Sequence, residues 1–245
     1  MSSGYGKMGL GILLLAVAIL TVSPSQGATI TENFAANQFN PKLWRLSQDM
    51  GQGATPQVIN ESLEVNVAGN GYAVFSGDGF TLIGDFDMKV DFTLIEWPAS
   101  NGTQLTIGTF LASETDTVWP QVGRANAPWD TMHGHEVYFT SMTNFNNIGV
   151  TGPPSNGTLR MVRTGNKVEG FYLESPEVWK SIGAATDASQ GVRVGVSMSI
   201  GPYANTYSGI PSKSAFSNIR IDYTTLGPGF GGGNPGPGIM MLLGD

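Results

Sequence analysis

Gly84-Asp85-Phe86-Asp87-Met88-Lys89-Val90-Asp91-Phe92-Thr93-Leu94 decides the fold class of this chain. Phe86, Met88, Val90, Phe92 and Leu94 alternate without a break against Asp85, Asp87, Lys89, Asp91 and Thr93. A period of two places all the apolar side chains on one face of a strand and all the polar ones on the other. Asp85, Asp87 and Asp91 therefore share a solvated face, with an apolar core behind it.

The same signal spreads outward in both directions. Leu63, Val65 and Val67 alternate with Glu64 and Asn66, and further strands are expected at 104–111, 136–141, 158–163, 167–173, 178–182, 192–200 and 215–222. Turn chemistry separates them: Gly69-Asn70-Gly71, Asn101-Gly102, Pro153-Pro154-Ser155-Asn156-Gly157 and Gly165-Asn166. Gly165-Asn166 joins two alternating runs and reads as a tight hairpin. Gly69-x-Gly71 and Gly77-x-Gly79 have no helix behind them to receive a phosphate and read as turns. Beyond the first residues, only 40–46 is a place for a single helical turn. Many short strands without helices resolve into two packed antiparallel sheets, an all-β sandwich of jelly-roll type.

The ends differ from the middle. Lys7 is the only positive charge ahead of an apolar run from Met8 to Val22, and Ser25, Gly27 and Ala28 supply small residues after it. This is the pattern of a secretory signal peptide over 1–27. The run is shorter than the roughly 18–20 apolar residues that span a bilayer, so cleavage is expected in preference to an N-terminal anchor. The sandwich domain is expected over 28–225. Residues 226–245 form a Gly/Pro-rich linker followed by Ile239-Met240-Met241-Leu242-Leu243. Five apolar residues do not span a membrane. They are a frayed tail or a handle for a protein partner.

Composition narrows the partners. The net charge is −7, charged residues make up 13% of the chain, and there is no basic run to hold a phosphate backbone, which excludes nucleic acid. With no cysteine, an exported domain relies on its core rather than on disulfides, which fits a bacterial or archaeal source. The sequons at Asn60, Asn101 and Asn156 then read as turn residues.

Glu32-Asn33-Phe34 with Phe39-Asn40-Pro41-Lys42-Leu43-Trp44 resembles the opening of concanavalin A-like lectin/glucanase domains, a superfamily of laminin-G and jelly-roll type. The strand quoted first resembles their central Gly-Asp-Phe strand. Leu159-Arg160-Met161-Val162-Arg163 with Val168-Glu169-Gly170-Phe171-Tyr172 resembles their hairpin, and Ala215-Phe216-Ser217-Asn218-Ile219-Arg220-Ile221 their last strand. The resemblance implies that the first and last strands pair and that a concave sheet binds oligosaccharide. It also raises a calcium ion as a possible cofactor, although no spaced loop of oxygen ligands marks one; no other cofactor is expected.

Carbohydrate recognition needs aromatic faces for the apolar side of a pyranose and amides for its hydroxyls. Residues 117–147 concentrate both: Trp119 and Trp129, with Gln121, Arg124 and Asn126, then His133, His135, Tyr138, Asn144 and Asn146. Tyr203 and Tyr207 form a second irregular stretch. The expected ligand contacts are Trp119, Trp129, His133, His135, Asn144, Asn146, Tyr203 and Tyr207, on loops. Trp44, Trp97 and Trp179 lie nearer alternating strands and read as core. His133-Gly134-His135-Glu136, with Asp130 as a third ligand, is the one cluster with metal-ligand character. Loop residues beside a strand are its commoner meaning.

No catalytic residue is assigned. The laminarinase-type members of the superfamily carry a Glu-x-Asp-x-x-Glu run on one strand, and this chain lacks it. A secreted or cell-surface, non-catalytic, lectin-like domain that binds a glycan or polysaccharide is the leading expectation. The alternatives are a hydrolase with a rearranged carboxylate pair, from Glu136, Glu169, Glu174 or the strand aspartates, and a self-assembling matrix protein that uses its tail.

Overall fold

The computed structural model describes residues 27–48, 53–68, 71–98, 102–111, 120–126, 136–141, 145–149, 154–186, 191–200 and 211–229. Among them every strand pairing is antiparallel, and no α-helix occurs. The strands are β1 (Ala28–Glu32), β2 (Arg45–Gln48), β3 (Ala54–Ile59), β4 (Ser62–Val67), β5 (Tyr72–Ser76), β6 (Phe80–Glu96), β7 (Thr103–Leu111) and β8 (Gln121–Asn126). They continue with β9 (Glu136–Ser141), β10 (Phe145–Gly149), β11 (Asn156–Thr164), β12 (Lys167–Ser175), β13 (Val178–Thr186), β14 (Val192–Ile200) and β15 (Ser212–Pro228).

The strands form two layers. The front sheet runs β10-β9-β8-β7-β14-β5-β2. The back sheet centres on β6, flanked by β11-β12-β13 on one side and by β15 on the other. β15 pairs with β4 over its first residues and with β1 further on, joining the two ends of the chain as the resemblance implies. One pair, Val192↔Leu82, links the layers at a corner.

The core lies between the layers. Met88, Val90 and Phe92 from β6 meet Leu105, Ile107, Val194, Val196 and Met198 from the front sheet, all at most 2% exposed. Trp44 closes one part of it, stacked on Phe75 at 5.0 Å and edge-on to Phe80 at 5.6 Å. The layers approach closely at Gly170, where a Cβ would strike Val122 and Thr140 of the front sheet. The hairpin at Gly165-Asn166 is present, with Gly165 at φ 58°, a left-handed conformation that glycine adopts without strain. Near 40–46 the single turn is Trp44 N–H donating to the Asn40 carbonyl at 2.9 Å, and a short 3-10 segment, Ala35–Asn37, precedes it. Asn60 is a left-handed turn residue, with φ 52°.

Two expectations change. β15 continues to Pro228, pairing Gly227 with Thr81 and Pro228 with Phe80, so the ladder runs beyond residue 225. Proline is tolerated there because β1 ends its pairing at Tyr223, leaving that side of β15 an edge. Trp179 is not core. It lies half-buried on the outer face of the back sheet, with the Arg160 guanidinium 5.2 Å from its ring and also over Phe171.

Candidate functional site

Strand register turns the outer face of the front sheet into rows that run across seven strands. One row is Phe145-Ser141-Gln121-Gly108-Gly195-Ser76-Arg45. The next is Asn147-Phe139-Gly123-Thr106-Ser197-Val74-Ser47, and a third holds Gly149, Val137, Ala125, Gln104, Ser199 and Tyr72. Alternation explains why: Leu105, Ile107, Val194, Val196 and Phe75 turn into the core, so their neighbours in sequence face out.

These rows are neutral and small across the middle. Gly108 and Gly195 leave bare backbone between the amide of Gln121 and the hydroxyl of Ser76. A Cβ on Gly108 would meet Gln121 Cγ at 3.1 Å, and one on Gly123 would meet the Phe139 ring at 2.5 Å. Phe139 therefore lies across Gly123, and with Ala125 and Val137 it makes a small apolar cluster apart from the main core. Thr106, Gly108, Gly123, Gly195 and Val74 in the rows are buried, while Gln121, Ser141, Tyr72 and Arg45 are half-exposed.

Gln104 is the unusual member. Its side chain is 7% exposed, and its amide nitrogen has no hydrogen-bond partner among the described residues. A buried donor left unmade costs about 1–3 kcal/mol, so this amide is a standing demand for an acceptor on the outer face of the front sheet.

At the Arg45 end the chemistry becomes ionic. Asp78, in the turn after β5, accepts from Ser76 Oγ at 2.7 Å and from Arg193 Nη1 at 3.3 Å. Arg45 Nη1 stands 3.8 Å from its other oxygen.

The polar residues of 117–147 do not all face a ligand. Arg124 and Asn126 belong to β8 and are fully buried between the sheets. Arg124 pairs with Glu136 and donates to the carbonyls of Ala125 at 2.9 Å and Val137 at 3.0 Å. Trp97 Nε1 donates to the same Glu136 carboxylate at 3.3 Å. Asn126 takes the Thr103 N–H at 2.7 Å and donates to the Pro98 carbonyl at 2.7 Å. Tyr138 also points inward, stacked on Tyr172 at 4.1 Å, and burial raises its phenol above the ordinary tyrosine range against the lowering effect of Arg124.

Trp119, Trp129, His133, His135, Asn144, Tyr203 and Tyr207 lie outside the described residues, as does Asp130. Asn146 is in β10, where its backbone pairs with Thr140. Gln104, Gly108, Gly123 and the Arg45–Asp78–Arg193 group are what sequence reasoning missed as site residues. Only the strand alternation of 104–111 pointed toward any of them.

The carboxylates considered for hydrolysis are engaged elsewhere. Glu136 belongs to Arg124. Glu169, on the outer face of the back sheet, binds Lys167 and takes Ser181 Oγ at 2.8 Å; the Lys167 hydrogen bond holds its carboxyl below the usual range. Glu174 pairs with Lys180 at 2.8 Å. Asp87 takes both nitrogens of the Arg160 fork at 2.8 and 2.7 Å, Asp91 takes Thr158 and Asn218, and Asp85 takes the Gly165 N–H.

On the back sheet, β15 bulges between β4 and β1 and opens a polar cavity of ≈ 560 Å³ whose lining includes Asn33, Asn60, Glu61, Glu64, Thr93 and Asn218. Its buried carboxylate, Glu64, is neutralised by Lys213 at 2.5 Å. No three carboxylate, imidazole or thiol groups converge among the described residues.

No protein-family model and no curated protein matches the sequence. Solved structures do match in fold. A basic winged bean lectin, solved with Tn-antigen, superposes with a TM-score of 0.54 at 13% identity, covering 81% of this chain and 99% of the lectin. A pseudo β-1,3-glucanase and immunostimulatory antigen of Mycobacterium tuberculosis gives 0.56 at 10%, covering 82% and 100%. A Bacillus licheniformis β-glucanase gives 0.53 at 13%, covering 82% and 100%. At such identities these likenesses establish the architecture, and the chemistry has to be read from the residues.

Proposed function

We propose that this chain, a concanavalin A-like sandwich by fold, is an exported, non-catalytic protein that binds a glycan across the outer face of its front sheet. The leader over 1–27 directs export. No helix among the described residues is long and apolar enough to cross a membrane. The observation that carries the reading is the buried amide of Gln104, whose nitrogen has no partner among the described residues, beside rows of Gln, Ser, Thr and Gly. Sugar hydroxyls are both donors and acceptors, and a flat pyranose lies against a glycine floor where a larger side chain would lift it. Lectins and glucanases share this fold. Binding without hydrolysis is supported by where the carboxylates are: retaining hydrolysis needs two of them about 5 Å apart across the sugar, and Glu136, Glu169, Glu174 and the strand aspartates all serve other partners. Trp119, Trp129, His133, His135, Asn144, Tyr203 and Tyr207 are the ligand contacts proposed from the sequence; Asn146 is left out, because its backbone partner Thr140 faces the back sheet.

A glycan array of the mature chain, with and without calcium, tests this. It is run beside a Gln104→Met variant and a Trp119→Ala/Trp129→Ala variant. Binding weakened in both supports the reading and places the site. An array with no bound glycan overturns it and turns attention to the 226–245 tail and self-assembly.

A further inference from the structure

The charged end of the front-sheet rows narrows the ligand. Arg45 from β2 and Arg193 from β14 both face Asp78. Asp78 is thus shared by two guanidinium groups, in a chain whose net charge is −7. The pairing is uneven. Asp78 already accepts Ser76 Oγ at 2.7 Å and Arg193 at 3.3 Å, while Arg45 is held only at 3.8 Å, beyond hydrogen-bond reach. Arg45 is also the accessible member, its side chain 40% exposed against 15% for Arg193. It terminates the row of Ser141, Gln121, Gly108, Gly195 and Ser76, so a chain molecule lying along that row ends its contact on a guanidinium fork.

Such a fork matches a planar carboxylate in two parallel hydrogen bonds. The long-range field of an acidic protein repels polyanions; a cationic group at the end of a neutral row therefore marks the local place where an anionic substituent is accepted. We infer that the front sheet takes an acidic polysaccharide, one bearing uronate carboxylates, with Arg45 as the carboxylate-binding residue and Asp78 holding both arginines in position. This rests on the glycan reading of the same face. Neutral sugar hydroxyls fill the Gln and Ser positions, and the carboxylate fixes the register of the polymer on the row.

The test is titration of the mature full-length chain with three polymers at low and at physiological salt. They are polygalacturonate, its fully methyl-esterified form and dextran sulfate. The ester keeps the sugar and removes the charge. Polygalacturonate is expected to bind at least tenfold tighter than the ester, with the difference shrinking as salt rises. Arg45→Gln is expected to weaken polygalacturonate by about tenfold to a hundredfold, the range of a hydrogen bond to a charged group, and to leave the ester unchanged. Arg220→Gln, on the back sheet, removes the same charge from an exposed residue paired with Asp222 and is expected to change nothing.

Equal binding of acid and ester overturns the acidic ligand and leaves the glycan site standing. Equal loss in Arg45→Gln and Arg220→Gln assigns the effect to net charge and overturns the assignment to Arg45. Dextran sulfate binding as tightly as polygalacturonate overturns carboxylate recognition. Failure to bind any of the three, with neutral glycans bound on the array, overturns only this inference; failure on the array as well overturns the glycan reading with it.

Discussion

On the outer face of the back sheet, polar groups answer one another. Asp87 has the fork of Arg160, Asp91 has Thr158 and Asn218, Asp222 has Arg220 and Thr29, and Glu169 has Lys167 and Ser181. On the outer face of the front sheet many counterpart positions are glycine, serine and amide, and one of the buried ones, Gln104, has an amide donor with no partner among the described residues. Both faces flank one core. The back face is finished by the protein itself, and the front face leaves hydrogen bonds for another molecule to complete. Dense charge thus marks the face that the protein completes, and on the front rows it is confined to the Arg45 end.

The largest effect that sharpens this contrast lies beneath the front rows. Glu136→Ala leaves the fully buried Arg124 without its carboxylate and is expected to cost about 3–5 kcal/mol. Asp87→Ala, on the back face, is expected to cost about 1 kcal/mol or less, because its ion pairs are open to solvent. Urea unfolding of both variants measures the gap, and equal losses would erase it. Next comes Gly123→Ala, whose methyl group would stand 2.5 Å from the Phe139 ring and 2.6 Å from the Leu105 carbonyl. About 1–3 kcal/mol of destabilisation is expected, read from the same unfolding curves; a neutral result would mean that Phe139 is free to leave the glycine floor.

Gln104→Met carries the opposite sign. Removing an unsatisfied buried amide is expected to stabilise the free protein by about 1 kcal/mol while weakening glycan binding. A variant that loses stability instead would show that Gln104 serves the fold. The smallest effect is acidic. Lys167 holds Glu169, and Arg220 holds Asp222, below the ordinary carboxylate range. A carboxylate depressed in the folded state contributes stability above its unfolded pKa, near about 4, and that contribution fades as pH falls through the lower folded value. Glu169→Gln is expected to flatten the acid limb of a stability–pH curve slightly, and an unchanged limb would remove Glu169 from it.

The back sheet was far more legible in the sequence than the front. β4, β6, β11 and β12 alternate cleanly because one face is core and the other carries Asp, Glu, Lys and Arg. β8 defeats that rule. Its inward residues are Val122, Arg124 and Asn126 and its outward ones Gln121, Gly123 and Ala125, so polarity runs backwards and the strand reads as a loop. β3 holds Pro56, and β2 and β5 are short, which hides them from a periodicity argument. Trp179 was misread for a related reason: its strand alternates, but a bulge opposite Gly170/Phe171 sets its face, and Arg160 supplies the cover that an apolar core would have given. The site stayed hidden because small neutral residues carry no pattern until register lines them up across seven strands.

The most direct test is to follow the backbone amide shifts of the chain while adding the glycan that the array shows to bind best. The expected result is a continuous set of perturbed amides across Gln104, Gly108, Gln121, Gly123 and Gly195, with Asp87, Phe171 and Trp179 on the back face unmoved. Perturbation centred on those back-face residues, with the front rows silent, would contradict the assignment of the binding face.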